Sequence, residues 1–273
     1  MTTKLPKIAL LGCGWLGLPL AESLISKGYS VKGSTTTHSK TDHLKASGIE
    51  AFHLVCTENG ITGDIQGFLD TSDLLIINIP PKLRNVAAEN FVRKISFLIP
   101  YLTSFSVKKV IFVSATSVYS DELSYNKVTE GYFSNPNTEN GKQLLETERL
   151  LQNNPDFRTT VVRFGGLIGN DRHPVKHLAG RENIENPDAP INMIHLEDCI
   201  GILHKIIETE TWGETFNAVA PNHPSRETYY CKKALEMKLP LPTFANNKPS
   251  VGKIVSSEKV QRILKYSFRK TDF

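Results

Sequence analysis

The run Leu11-Gly12-Cys13-Gly14-Trp15-Leu16-Gly17 spaces three glycines as G-x-G-x-x-G. It follows a short apolar run and opens an amphipathic stretch, the context in which this spacing has a chemical use. Gly12 permits a tight turn, Gly14 lets the backbone approach a pyrophosphate, and Gly17 lets a helix pack closely on a sheet. The free N–H groups of Trp15, Leu16 and their neighbours, at the positive end of a helix dipole, complete an anion cradle. The expected occupant is a dinucleotide. Its ribose is met where the second strand ends, at Ser34, Thr35, Thr36 and Thr37, followed by Lys40. An NAD site usually carries an acid there, and none occurs before Asp42. Hydroxyls and a lysine accept a 2′-phosphate, so NADP is expected over NAD. The same hydroxyls could instead satisfy turn backbone. Asn78, Ile79 and Pro80 close a nearly continuous apolar strand, which places them at the crevice edge where a cofactor would lie.

The elements that position these residues alternate. Strands are expected at Lys7–Leu11, Tyr29–Gly33, Ile49–Val55, Asp73–Ile79, Lys109–Val113 and Thr159–Phe164. Helices are expected from the glycine loop to Gly28, over Asn85–Phe105 and over Thr138–Gln152. This is the pattern of an α/β, Rossmann-type, doubly wound parallel sheet covered on both faces. Prolines punctuate the chain after Gly165, which predicts a dinucleotide-binding domain over 1–165. A smaller substrate lobe over 166–273 would return segments such as Thr215–Val219 to the sheet.

Composition narrows the partners. The 273 residues are 40% hydrophobic with net charge +4, enough for a substantial core and without a nucleic-acid-binding composition. The basic tail, Lys253 to Lys270, reads as a solvated helix face. Four dispersed cysteines make neither a zinc site nor a disulfide framework, so no metal is expected. No signal peptide or membrane span is visible. The expectation is a cytoplasmic monomer or homodimer with a small-molecule substrate, binding neither membrane nor nucleic acid.

From Phe112 to Ser120 the sequence FVSATSVYS resembles the end of the fifth strand in the extended short-chain dehydrogenase/reductase family. Lys142 and Glu146 resemble the end of its Y-x-x-x-K-x-x-x-E helix. Arg163–Gly169 resembles R-x-x-N-x-x-G, Asn192–Asp198 resembles I-H-V-x-D, and Glu214–Asn217 resembles G-x-x-Y-N. The glycine spacing is similar to that of the atypical extended branch, the NAD-dependent epimerase/dehydratase-like proteins. The resemblance implies an oxidoreductase or epimerase using a serine, a tyrosine and a lysine. The lysine would hold the nicotinamide ribose and the tyrosine would move the proton. Here the serine position falls on Ala115 and the tyrosine position on Thr138, leaving Lys142. A threonine hydroxyl is too weak an acid to replace a phenol.

The candidate catalytic set is therefore Lys142, Thr138 and Ser117, with Ser114 and Lys142 beside the cofactor. Ser117, Arg172, Asn192, His195 and Arg226 are expected near the substrate, the arginines suiting phosphate or carboxylate. The resemblance implies that His195 is a hydrogen-bonded structural histidine rather than a proton carrier. The degenerate triad leaves a second hypothesis open: a cofactor-binding sensor or regulatory protein without turnover. A β-hydroxyacid dehydrogenase shares the N-terminal pattern but continues into a mostly helical domain. This chain returns to strands at Val161 and Thr215.

Overall fold

Side chains alternate across each central strand, and both faces are covered. A computed structural model describes residues 5–81 and 89–272. The main sheet contains β1 (Ile8–Leu11), β2 (Val31–Thr35), β3 (Glu50–His53), β4 (Leu74–Ile77), β5 (Lys109–Ala115), β6 (Arg158–Phe164) and β7 (Thr215–Ala218). All pairings are parallel, in spatial order β7-β6-β5-β4-β1-β2-β3. Ile8, Leu10, Leu74, Ile76 and Ile111 point into one core, with α1 (Gly17–Ser26). Ala9, Leu11, Leu75, Ile77 and Phe112 point into the other. Each large side chain so buried stabilises the fold by about 1.5–3 kcal/mol. Strand order reverses between β1 and β4, so the crevice opens where Leu11 and Ile77 end.

Further along, the chain forms α2 (Thr41–Ala46), α3 (Ile65–Leu69), α4 (Phe91–Ser96), α5 (Ile99–Ser104) and α6 (Glu139–Gln152). The expected long helix over 85–105 is two short ones where it is described. Pro100 lies in the first turn of α5. It has no N–H to continue the ladder from α4, so the helix breaks. The start of that expected helix, 85–88, lies outside the described residues. The expected strand over 49–55 also divides. β3 ends at His53, and Val55–Thr57 turns back antiparallel onto Gly60–Thr62. β2 runs two residues later than expected, to Thr35, which puts Ser34 and Thr35 in the sheet rather than in the following loop.

The remaining helices are α7 (Val175–Leu178), α8 (Leu196–Glu208), α9 (Arg226–Glu236) and α10 (Glu258–Leu264). A separate small core joins Ile168, Val175, Ile191, Met193, Tyr229 and Tyr230. Two chain segments build it, roughly 166–194 and 219–256. Between them α8 and β7 rejoin the main core, as does α10 afterwards. The residues after Gly165 thus divide between this small core and the main sheet.

Asp198 fastens the C-terminal segment. Its carboxylate is fully buried and accepts from the Tyr266 hydroxyl at 2.7 Å and from the backbone N–H groups of Arg269 and Lys270 at 2.8 and 3.1 Å. The basic tail is drawn into the fold. Lys253, Lys259 and Lys270 pair with Asp121, Glu214 and Glu197. Asp198→Ala leaves those donors without an acceptor. It is expected to cost about 2–3 kcal/mol and to open the segment after Lys265 to trypsin. Unchanged melting and unchanged proteolysis would count against this fastening role.

Candidate functional site

The glycine loop is shaped by its neighbours. Gly12 has φ +104°, and a Cβ there would meet the Asn78 carbonyl oxygen at 2.7 Å and the Ile79 methyl at 2.9 Å. Its N–H donates to Ser34 Oγ at 2.9 Å, and its carbonyl accepts from Asn78 Nδ2 at 3.0 Å. A Cβ on Gly17 would run into the Gly12 carbonyl oxygen. A Cβ on Gly14, by contrast, would meet nothing within 4 Å. The loop is therefore tight wherever it faces protein and open where a ligand would approach. No side chain caps α1 at Leu16. Among the described residues, the N–H groups of Gly14, Trp15 and Leu16 have no acceptor. These are the orphan donors of a helix start, and they fit a dinucleotide pyrophosphate. Burial pushes the Cys13 thiol up to about 12, so it stays protonated within the loop.

The hydroxyls after β2 divide. Ser34 is buried and holds Gly12, while Thr35 Oγ1 accepts from the Thr37 N–H at 3.2 Å. For these two, backbone support is the role their contacts define. Thr36, Thr37 and Lys40 are exposed at the crevice edge, as is Pro80 beyond β4. No carboxylate occurs among residues 34–41.

At the end of β5 the chain turns through a 3-10 segment, Thr116–Val118. Ser117 is half-buried, and its carbonyl lies against Gly141 of α6. Thr138 does not point a free hydroxyl into the crevice. It caps α6, Oγ1 accepting from the Gly141 N–H at 3.2 Å. Lys142 stands on the exposed face of α6 with Glu146 and Arg149, while Gly141, Leu144, Leu145, Glu148 and Leu151 face inward. The inward glutamate is thus Glu148. Counting the Y-x-x-x-K-x-x-x-E spacing back from it places the lysine position at Leu144 and the tyrosine position at Asn140. Asn140 Nδ2 reaches Ser117 Oγ at 3.4 Å. Either register leaves the phenol position without a tyrosine.

Beneath this turn lies a buried polar network that sequence reasoning missed. Ser114, expected beside the cofactor, instead donates to Glu148 Oε1 at 2.6 Å. Arg163 binds Glu148 through Nε at 3.1 and 3.2 Å and through a terminal nitrogen at 2.6 Å. Its other terminal nitrogen donates to the Tyr119 hydroxyl at 2.6 Å, which donates to Asn217 Oδ1 at 2.9 Å. Burial alone would lower the arginine's hold on its proton, but the Glu148 carboxylate more than offsets this. Burial also holds the Tyr119 phenol above its ordinary range, against Arg163. Tyr119 is therefore a neutral brace and supplies no acid to the crevice.

In the second lobe Arg172, Asn192 and Arg226 line one cavity of about 560 Å³; Ser117 and His195 stand outside its lining. The Asn192 amide is fixed in the wall, donating to the Lys253 carbonyl at 2.8 Å and accepting from the Val255 N–H at 2.9 Å. His195 caps α8, Nδ1 accepting from the Glu197 N–H at 3.3 Å. The spacing Y-x-x-x-K also occurs at Tyr229 with Lys233 and at Tyr266 with Lys270, and neither places a phenol at the crevice. Tyr229 meets His173 at 2.7 Å, and Tyr266 holds Asp198. Trp15 links loop and lobe: its indole N–H donates to Asp171 at 2.9 Å, and the Arg172 guanidinium lies 5.0 Å from its ring centre. Among the described residues no cluster of three or more His, Cys, Asp or Glu could hold a metal, and no helix is long and apolar enough to cross a membrane.

Fold and loop together define an α/β protein of the Rossmann type, with a glycine loop at the switch point of a parallel sheet. Residues 7–84 match the NAD binding domain of 6-phosphogluconate dehydrogenase. That match ends before β5, β6 and β7, which return to the sheet. A short-chain dehydrogenase/reductase superfamily protein from Agrobacterium tumefaciens, solved with bound NAD, superposes with TM-score 0.78 at 18% identity, covering 97% of this chain and 93% of that one. UDP-N-acetylglucosamine 4-epimerase from Bacillus cereus superposes with TM-score 0.77 at 17% identity, covering 98% and 92%. Protein YeeZ of Escherichia coli strain K12 is 32% identical over 273 residues, 97% of each chain. The chain belongs to the YeeZ family.

Proposed function

We propose that this protein binds NADP on the glycine loop and holds a small carbonyl or hydroxyl compound in the second-lobe cavity, as an oxidoreductase or epimerase. The observation that carries this reading is the open face at Gly14, flanked by unpaired N–H groups. The bound cofactor would supply hydride transfer. The N–H groups of Gly14, Trp15 and Leu16 would hold its pyrophosphate. Thr36, Thr37 and Lys40 would meet the 2′-phosphate, and the missing carboxylate removes the repulsion an NAD-type site would impose. Arg172 and Arg226 would hold the substrate within the cavity, and Ser117 and Asn140, outside its lining, would orient an oxygen at an end reaching out of the cavity toward the cofactor. Four free thiols suit a reducing cytoplasm.

A second reading, cofactor binding without turnover, draws on the α6 geometry. Thr138 caps the helix, Lys142 faces outward, and Ala115 replaces the serine. Loss of general acid help costs about 10²–10⁴ in rate. Titration of the purified protein with NADPH and NADH, read by Trp15 fluorescence, tests the binding step. NADPH is expected to bind about tenfold more tightly than NADH, from at least one added charge-assisted contact. Binding of neither nucleotide at millimolar concentration sinks the cofactor assignment. NADPH oxidation across a panel of carbonyl compounds then separates the two readings.

A further inference from the structure

We infer that the second-lobe cavity takes a small oxyanion, a phosphate monoester or a carboxylate, held between Arg172 and Arg226. The inference rests on the reading of this lobe as the substrate side. Both arginines line the same concavity. Among the described residues, neither guanidinium has a carboxylate partner. Arg226 donates one N–H to the Glu185 backbone carbonyl at 2.8 Å, and Arg172 lies over the Trp15 ring. Asp121, the carboxylate in the cavity lining, is neutralised by Lys253 at 2.8 Å. The cavity is therefore lined by two arginines without a carboxylate partner among the described residues: Arg226 has guanidinium N–H groups to spare, and Arg172 rests against Trp15.

A guanidinium fork matches a phosphate or carboxylate in a bidentate geometry, and a neutral sugar hydroxyl does not use its charge. The walls suit a compact ligand. Asn192 and the Lys253–Val255 segment hold one side by three side-chain hydrogen bonds counted with Pro190. His173 is locked by Tyr229 and the Val175 N–H, so it forms wall rather than reactive group. Arg172 also touches the glycine loop through Trp15. An anion that draws Arg172 inward changes the surroundings of that indole, which gives the site an optical signal independent of turnover.

The test is calorimetric and fluorimetric titration of the whole protein, with and without saturating NADPH. The ligands are ribose 5-phosphate, L-malate and neutral ribose. At least one of the two anions is expected to bind, and ribose to bind detectably less; which anion responds separates phosphate from carboxylate. Arg172→Gln and Arg226→Gln are each expected to weaken anion binding about tenfold or more. Arg226→Gln should leave NADPH affinity unchanged. Failure of both anions to bind, ribose binding as tightly as either, or unchanged affinity in both variants overturns the site. An equal loss of NADPH and anion binding in Arg226→Gln also overturns it, because the anion would then be occupying the cofactor loop. If NADPH does not bind but an anion still requires Arg226, the cofactor reading falls and the anion site stands.

Discussion

Gly14→Ala is expected to lower NADPH affinity by about 10–100-fold, 1.4–2.8 kcal/mol, without lowering the melting temperature. The added methyl meets nothing in the protein within 4 Å, so folding has no reason to resist it. Replacing glycine in a compatible conformation even reduces the entropy of the unfolded chain, by about 0.4–1 kcal/mol. The same methyl stands where a pyrophosphate must approach the backbone. Gly17→Ala provides the contrast, because its methyl would drive into the Gly12 carbonyl oxygen. That variant should lose stability by about 1–3 kcal/mol as well as binding. Fluorescence titration and thermal melting of the two variants side by side decide the matter. A Gly14→Ala protein that binds NADPH like the parent would mean that the pyrophosphate does not lie on this loop.

The largest stability effect should come from Glu148→Ala. The carboxylate is 1% exposed and receives Arg163, itself 6% exposed, as well as Ser114. Truncation leaves a buried guanidinium facing a void. Breaking one side of such a pair typically costs about 3–5 kcal/mol, and for a chain of this size that is a drop on the order of 10 °C. The double variant Glu148→Leu with Arg163→Met removes both charges together and should recover most of the loss. If Glu148→Ala melts within about 2 °C of the parent, the charge is reaching water and the burial argument fails. The effect should also reach the crevice. Glu148 lies two turns along α6 from Asn140, and Ser114 precedes the Ser117 turn by three residues.

The sheet, the glycine loop and the order of elements were legible because local patterning dictates them. β1 and β4 are apolar on both faces, and the loop's glycines follow from close backbone approach. The orientation of α6 was less legible. Lys142 and Glu146 fit a motif by spacing, yet the helix turns that stripe outward. The signal was present in the apolar positions Leu144, Leu145 and Leu151. Helical period places Glu148 on their face, a buried acid that demands a cation. Its partner Arg163 lies in a strand fifteen residues on, and that pairing depends on tertiary packing. Ser34 and Thr35 show a similar limit. Composition marked them as polar, but two residues of strand register decided whether their hydroxyls met ligand or backbone. Asn192 and His195 likewise have roles that only their partners define.

The chain passes between the sheet and the second lobe near residues 165, 195, 219 and 256. A lobe attached by one linker can swing on it, because a few backbone torsions absorb the rotation. Several crossings in and out of one sheet restrict such a swing, since each would have to bend together with the others. On the proposed reading of the cavity, a ligand would therefore enter through small local movements at its rim and around Trp15 more readily than through a clamshell closure of one half of the molecule upon the other.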